Sequence, residues 1–577
     1  MTRSKVTSVL GLVILLFAMV IPKSAQSFSA IPEKSKTGMV ISAHKLADAI
    51  GMQVLENGGN AVDAAFAVGY GLCVLHPAGS GLMGGGGFAV IYSADKRQIT
   101  TLDFREMAPG KGTPEAYVNE KGEVIRDVVN ASVNLGYRAA SIPGAVAGFD
   151  AMLQRFGTKK APELLKYAID YAERGFIIGG TYEKLFKESA ANFAKFESTR
   201  KYYLKSDGTP YKEGDLYINK DLARTIRIIG EKGPEAFYKG EIADLIVKDI
   251  AANNGLVTKE DLAKYKPIWR ESVHGTYRGY DIYSMPPVSS GGIAIIQMLN
   301  IMEGYALKDM GHNSSATINV LAEAMRLAFA DRAAHLGDPA FVKVPIKGLT
   351  SKGYANELRA KIQLGKATPS REVKAGSPQL YEGNHTTYFS IIDKWGNAVA
   401  LNFTIRDWFG SKACINGAGF FLSNTLDDLA MKVGVPNEFG LVYGTANLIE
   451  PYKRPLSSMT PTMVLKDGKV FLITGSVGGP RIINAVLQVI SNVIDHGMNV
   501  REAVEAPRVH MQWIPDLLLY EPEIPRDVLS NLKNMGYAVN SRGPIPPDYF
   551  GEAHTIMIDP GTGARLGAQD PRGDYTK

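Results

Sequence analysis

Apolar positions recur at helical spacing over residues 43–72, where Leu46, Ile50, Val54 and Leu55 fall on one face. The pattern breaks at Asn57-Gly58-Gly59-Asn60 and resumes in alanine-rich turns over 61–70, predicting two closely packed helices. A glycine run, Gly79-Ser80-Gly81-Leu82-Met83-Gly84-Gly85-Gly86-Gly87, then leads into the strand-like Phe88-Ala89-Val90-Ile91-Tyr92. It precedes a strand instead of joining a strand to a helix, and it lacks a Lys-Ser/Thr ending. It therefore predicts a close backbone approach near a pocket and not a nucleotide site. Residues 150–380 are mainly helical in pattern, with amphipathic segments at 161–172 and 318–334. Met285-Pro286-Pro287-Val288-Ser289-Ser290-Gly291-Gly292 forms an extended turn ahead of a further helix.

From Thr386 the period changes to two. Residues 386–392 and 398–405 are β-rich runs around the hairpin signal Asp393-Lys394-Trp395-Gly396-Asn397. Pairing about the middle of that turn sets Thr386 opposite Thr404, with Thr404 and Arg406 on one face. Strands follow at 462–465 and 469–474, then the turn Ser476-Val477-Gly478-Gly479, a helix over 481–496 and a strand near 555–558. Helices combined with short antiparallel strands give an α+β layered class. The segment ahead of Thr386, 364–385, is polar and contains Gly and Pro, as an accessible loop would be.

The chain has 577 residues, 45% of them hydrophobic and 21% charged, which is enough for a sizeable core. Its formal charge is +6, and three of the positive charges (Arg3, Lys5, Lys23) stand in an acid-free opening of thirty residues. What remains is no nucleic-acid footprint. Arg3 and Lys5 precede an apolar run over 6–21 and small residues around Ser24-Ala25-Gln26-Ser27, the layout of a secretory signal over residues 1–30. An uncleaved anchor is the alternative, although the run is short for a bilayer span. A periplasmic or secreted protein with no stable membrane span after signal removal is expected. Cys73 and Cys414 allow at most one disulfide, and two buried small hydrophobes are the simpler expectation. The histidines are scattered singly, with His44, His76 and His335 in structural contexts, so neither a metal nor another cofactor is expected.

A threonine can become a catalyst by becoming an N-terminus. Cutting His385–Thr386 would give Thr386 a free α-amine, with an unperturbed pKa of roughly 7.7–8, beside its own hydroxyl. Nucleophile and general base would then share one residue. A plain strand start is the alternative at such a Thr-Thr pair.

The company of Thr386 carries more. Asp103-Phe104-Arg105-Glu106-Met107-Ala108-Pro109, the Thr386-Thr387 opening, Leu426-Asp427-Asp428, Lys453-Arg454-Pro455-Leu456-Ser457-Ser458-Met459 and Gly475-Ser476-Val477-Gly478-Gly479 together resemble the γ-glutamyltranspeptidases. Segments 56–65, 141–148, 286–292 and 331–339 and the terminal Asp570-Pro571-Arg572 agree in order.

The resemblance implies a four-layer αββα sandwich of the N-terminal-nucleophile hydrolase type, with two stacked, mainly antiparallel sheets. It implies a precursor cut after His385 into a large subunit, 31–385, and a small subunit, 386–577, that stay together as a heterodimer. Thr386 would attack the γ-carbonyl of glutathione or another γ-glutamyl compound and pass the acyl group to water, an amino acid or a dipeptide. By the same resemblance Thr404 supports the nucleophile, and Gly478 and Gly479 form the oxyanion hole. Arg105, Ser457 and Ser458 hold the α-carboxylate, and Asp428 holds the α-ammonium. Phe439 covers the pocket from a lid over 433–453.

Two positions depart from the family pattern at the α-amino end. Arg406 stands where asparagine is common, and Thr425 where glutamine or glutamate is common. A guanidinium at Arg406 would repel a substrate ammonium, or pair with Asp428 and occupy it; the alternative is that it turns outward into solvent. A glutaryl-type acylase of the same fold and a non-catalytic secreted binding protein are the competing readings.

Overall fold

The computed structural model describes residues 30–378, 390–541 and 550–573. The expected signal segment, His385 and Thr386 lie outside the described residues.

Two antiparallel sheets organise the described chain. The six-stranded sheet runs in the order Met39–Ile41, Ser390–Ile392, Ala398–Thr404, Gly86–Ser93, Gln98–Phe104, Ile268–Arg270. The seven-stranded sheet runs Glu33–Ser35, Arg565–Ala568, Thr555–Ile558, Lys469–Thr474, Thr462–Lys466, Tyr280–Ser284, Val273–Tyr277.

Strand alternation builds the layers. Phe88, Val90, Ala398 and Ala400 from the first sheet share one core with Met463, Leu465, Ile473 and Ile556 from the second. The intervening residues Ala89, Ile91, Val399, Leu401 and Phe403 face a second core that contains Val62, Phe66 and Phe149. On the far side, Val464, Leu472 and Met557 pack with residues of the helices Gly291–Met302, Ser315–His335 and Arg481–Ile494. The result is helices, sheet, sheet, helices: the α+β sandwich expected from the sequence.

The first two helices, Lys45–Glu56 and Ala61–Leu75, fall as the periodicity predicts, separated at the Asn-Gly signal. Asn60 caps the second in a capping box with Asp63. Asp393 fixes the hairpin turn by accepting from Trp395 N and Asn397 N, each at 2.9 Å, and its other oxygen accepts from Ala61 N at 3.1 Å. The turn that ends the strand Ser390–Ile392 is thereby tied to a helix start. Across that turn Ser390 pairs with Ala400, Ile391 with Val399 and Ile392 with Ala398.

Residues 150–380 are mainly helical, as read, and Ile268–Arg270, Val273–Tyr277 and Tyr280–Ser284 add strands to both sheets that the pattern did not show. One reading needs correction. The helix Ser315–His335 starts and ends slightly beyond the amphipathic segment and is buried on nearly every side, not along one stripe. Cys73 and Cys414 are both buried free thiols.

Candidate active site

The glycine run is where the backbones meet. A side chain at Gly85 would place its Cβ 2.1 Å from the Thr404 carbonyl oxygen, and one at Gly87 would sit 2.2 Å from that of Asn402. Only glycine permits that approach. It brings the end of the strand Ala398–Thr404 under the loop that carries Arg105, since Gly86 pairs with Thr404 on one side and Gly87 with Phe104 on the other.

Arg105 is fully buried and extends its fork in three directions. Its Nη2 meets Asp428 Oδ2 at 2.7 Å, its Nη1 meets Glu106 Oε2 at 3.2 Å, and its Nε donates to the Pro455 carbonyl at 3.2 Å. Burial pushes the Glu106 carboxyl up despite the Arg105 charge beside it. Asp428 closes the short turn Thr425–Asp428 and remains partly exposed, its carboxylate beside the Arg105 guanidinium.

Arg406 points inward. Its side chain is 2% exposed and touches four carboxylates: Asp428 Oδ1 at 2.9 Å, Asp427 Oδ2 at 2.6 Å, Asp407 Oδ2 at 3.0 Å and Glu438 Oε2 at 3.2 Å. Burial opposes its charge, but those four carboxylates outweigh it and hold the guanidinium well above its ordinary pKa. Its backbone is left-handed, with φ +79°, and its N–H donates to Thr404 Oγ1 at 2.8 Å. Such a conformation in a non-glycine residue costs on the order of 1–3 kcal/mol and needs surroundings that enforce it. The Thr404 hydroxyl and the ring of carboxylates supply them.

Phe439 completes the cover. The Arg406 guanidinium stacks over its ring at 4.3 Å, a cation–π distance. The ring edge lies 3.3 Å from where a Cβ on Gly479 would stand. Gly478 and Gly479, at φ +126° and +58°, open onto the N-terminal end of the helix Arg481–Ile494, whose partial positive charge favours an anion. The tip of the cover is stapled. Asn437 Oδ1 accepts from Phe439 N and Leu441 N at 3.0 Å each, and Gln512 Nε2 donates to the Phe439 carbonyl at 3.0 Å.

Phe439, Arg406, Asp428 and Arg105 thus form one line of contacts beside Gly479, with Thr404 fastened to Arg406. Ser457 and Ser458 are buried just beyond it. The Ser457 hydroxyl accepts from Met459 N at 3.2 Å, and the Ser458 hydroxyl accepts from Arg332 Nη2 at 3.2 Å. The Thr425 hydroxyl lies 2.7 Å from Ser141 Oγ.

Several partners escaped the sequence reading. Asp427 and Asp407 compensate Arg406, and Arg126 pairs with Asp427 from a distant loop. Arg332 joins Ser458 to Ser290, and Asn402 donates to the Ser476 carbonyl at 3.1 Å, tying the hairpin to the glycine turn. The doubled acid in Leu426-Asp427-Asp428 was the available signal, since a buried carboxylate next to a second one calls for cations nearby.

The sequence profile of the γ-glutamyltranspeptidases matches residues 47–577. The chain belongs to the γ-glutamyltranspeptidase family. It is 44% identical over 541 residues to the glutathione hydrolase proenzyme of Escherichia coli (strain K12), covering 94% of this chain and 91% of that one. It is 37% identical over 547 residues to the acylase ACY 1 proenzyme of Pseudomonas sp. (strain SE83), covering 94% of each. Among solved structures, the cephalosporin acylase from Bacillus halodurans superposes with a TM-score of 0.83 at 28% identity, covering 96% of this chain and 98% of that one. Within the described residues no helix is long and apolar enough to cross a membrane.

Proposed function

We infer that this γ-glutamyltranspeptidase-family chain is a self-processing γ-glutamyltransferase and glutathione hydrolase, made as a proenzyme and acting as two subunits on small-molecule substrates. The observation that carries this reading is the match, along nearly the whole chain, to relatives named glutathione hydrolase proenzyme. The site supports it in chemical terms. A γ-glutamyl group ends in a carboxylate and an ammonium on one carbon, and Arg105 beside Asp428 is the opposite arrangement of charge.

The reaction assigned to the site is acyl transfer. The hairpin signal in the sequence, paired about its midpoint, sets Thr386 opposite Thr404. Thr386 Oγ attacks the γ-carbonyl while the α-amine of the same residue accepts the hydroxyl proton. The oxyanion is received by the backbone N–H groups of Gly478 and Gly479, each such donor being worth about 2.7–4 kcal/mol in the transition state. The C–N bond breaks, the leaving amine takes the proton, and a γ-glutamyl ester remains on Thr386. Water releases glutamate, or the amine of an amino acid or dipeptide takes the acyl group. Ser457, Ser458 and Arg105 orient the α-carboxylate. The opening thirty residues are assigned as an export signal, which makes the working compartment the periplasm or the exterior.

Processing tests the reading directly. The purified protein should run as two fragments, 31–385 and 386–577 in this numbering, the second beginning Thr-Thr-Tyr. Thr386→Ala should stay as one chain and release no nitroaniline from γ-glutamyl p-nitroanilide. A wild-type protein that remains uncut and inactive would refute the reading.

A further inference from the structure

Asp428 is already satisfied by this protein's own cations. Arg105 takes Oδ2 at 2.7 Å and Arg406 takes Oδ1 at 2.9 Å, so both carboxylate oxygens face a guanidinium before a ligand arrives. Arg105 is required there by any donor that carries a carboxylate. Arg406 is not. It brings a second positive charge to the carboxylate that should attract the donor's ammonium, and like charges at such separations repel.

Nor is Arg406 free to swing aside. Asp407, Asp427 and Glu438 hold its outer nitrogens, Phe439 covers its face, and its backbone N–H is bonded to Thr404. Lys412, half-buried with its ammonium donating to the Gly410 carbonyl at 2.9 Å, is a further cation within electrostatic reach of Asp407 and Arg406. The same contacts tie the cover to the pocket without help from a substrate amine, because Glu438 and Phe439 both belong to it.

We propose that Arg406 is the specificity-determining residue of the donor site: seated on Asp428, it occupies the place of the donor's α-ammonium and admits acyl donors that carry the carboxylate without the amine, namely monoamides of glutaric acid. The proposal rests on the γ-glutamyl reading above and names the donor class for the same site. The chemistry is otherwise unchanged. The nucleophile's oxygen replaces the amine at the glutaryl carbonyl, the amine leaves with the hydroxyl proton, and water then releases glutarate.

The test compares kcat/KM for γ-glutamyl p-nitroanilide and glutaryl p-nitroanilide on self-processed enzyme. In wild type the two values lie within about tenfold of each other. In Arg406→Asn the preference for the γ-glutamyl donor rises by at least about tenfold, chiefly through its KM, as removal of a competing charge at the Asp428 carboxylate should produce. The shift disappears when the same substitution is made in an Asp428→Asn background, which a merely structural role for Arg406 would not bring about. An unchanged preference in Arg406→Asn, or a shift that survives in Asp428→Asn, overturns the proposal. Arg406→Gln serves if Arg406→Asn fails to process.

Wild type alone gives an independent result. Glutarate should inhibit at least as strongly as L-glutamate, and L-glutamate binding about tenfold more tightly would also overturn the proposal. A wild type that cleaves neither anilide overturns the underlying γ-glutamyl reading, and the proposal with it. Cleavage of the γ-glutamyl anilide with glutaryl cleavage below a hundredth of it leaves that reading standing and sinks only the proposal.

Discussion

Single residues decide the character of this site, and they were unequally visible. Arg105 and Asp428 announce themselves through motif, and their 2.7 Å contact joins the two motifs across more than three hundred residues. Arg406 was marked by sequence as a departure, but the direction of its side chain was open. That direction is set by Asp407, Asp427 and Glu438, whose convergence depends on a turn and a cover folding over the hairpin end. Thr425 was marked by sequence in the same way, and its hydroxyl lies 2.7 Å from Ser141 Oγ, a partner the sequence did not indicate. Gly478 makes a sharper prediction. At φ +126° it occupies backbone space that side-chain-bearing residues avoid, so Gly478→Ala must rotate the peptide that carries the proposed oxyanion donor. Steady-state kinetics should show kcat lowered by about 10²–10³, the usual size of a lost oxyanion donor, with KM much less affected. Full activity in that variant would remove Gly478 from the mechanism.

At the level of elements, the hairpin was legible to the residue because its turn is spelled out by Asp393, Gly396 and Asn397. The described pairs keep the register that the turn's midpoint implies. The strands at Ile268–Arg270 and Val273–Tyr277 were missed for a physical reason. Each is the last strand of its sheet and partly solvated, so neither shows a clean run of apolar residues. The cover reads in sequence as a lid over 433–453, and within its tip Asn437 makes several of the holding bonds, also donating to the Asp427 carbonyl at 3.3 Å. Asn437→Ala removes those bonds from the tip while leaving the sheets intact. Limited proteolysis should then cut the cover faster, and KM for γ-glutamyl donors should rise severalfold, with the melting temperature within about 4 °C of wild type, as expected for ~1 kcal/mol or less. Unaltered proteolysis and KM would mean that the cover is held elsewhere.

For the molecule as a whole, layer order could be read from alternation, whereas the sharing of sheets could not. Both sheets contain strands from each side of the expected cut: Met39–Ile41 and Gly86–Ser93 with Ser390–Ile392 and Ala398–Thr404 in one, Tyr280–Ser284 with Thr462–Lys466 in the other. Sequence pattern assigns a strand to its period but is silent on its neighbour when hundreds of residues intervene. After cleavage the two fragments should elute together from size exclusion at the mass of the mature chain and separate only in denaturant. Their separation in native buffer would contradict the shared sheets. A deeper consequence concerns reversibility. The precursor assembles those ladders within one chain, so its folding rate does not depend on concentration. Once cut, the same ladders are a contact between two molecules, and restoring them after denaturation is a second-order event governed by mass action. The mature enzyme would then owe its endurance to the slowness of coming apart, having discarded at activation the covalent link that allowed it to form.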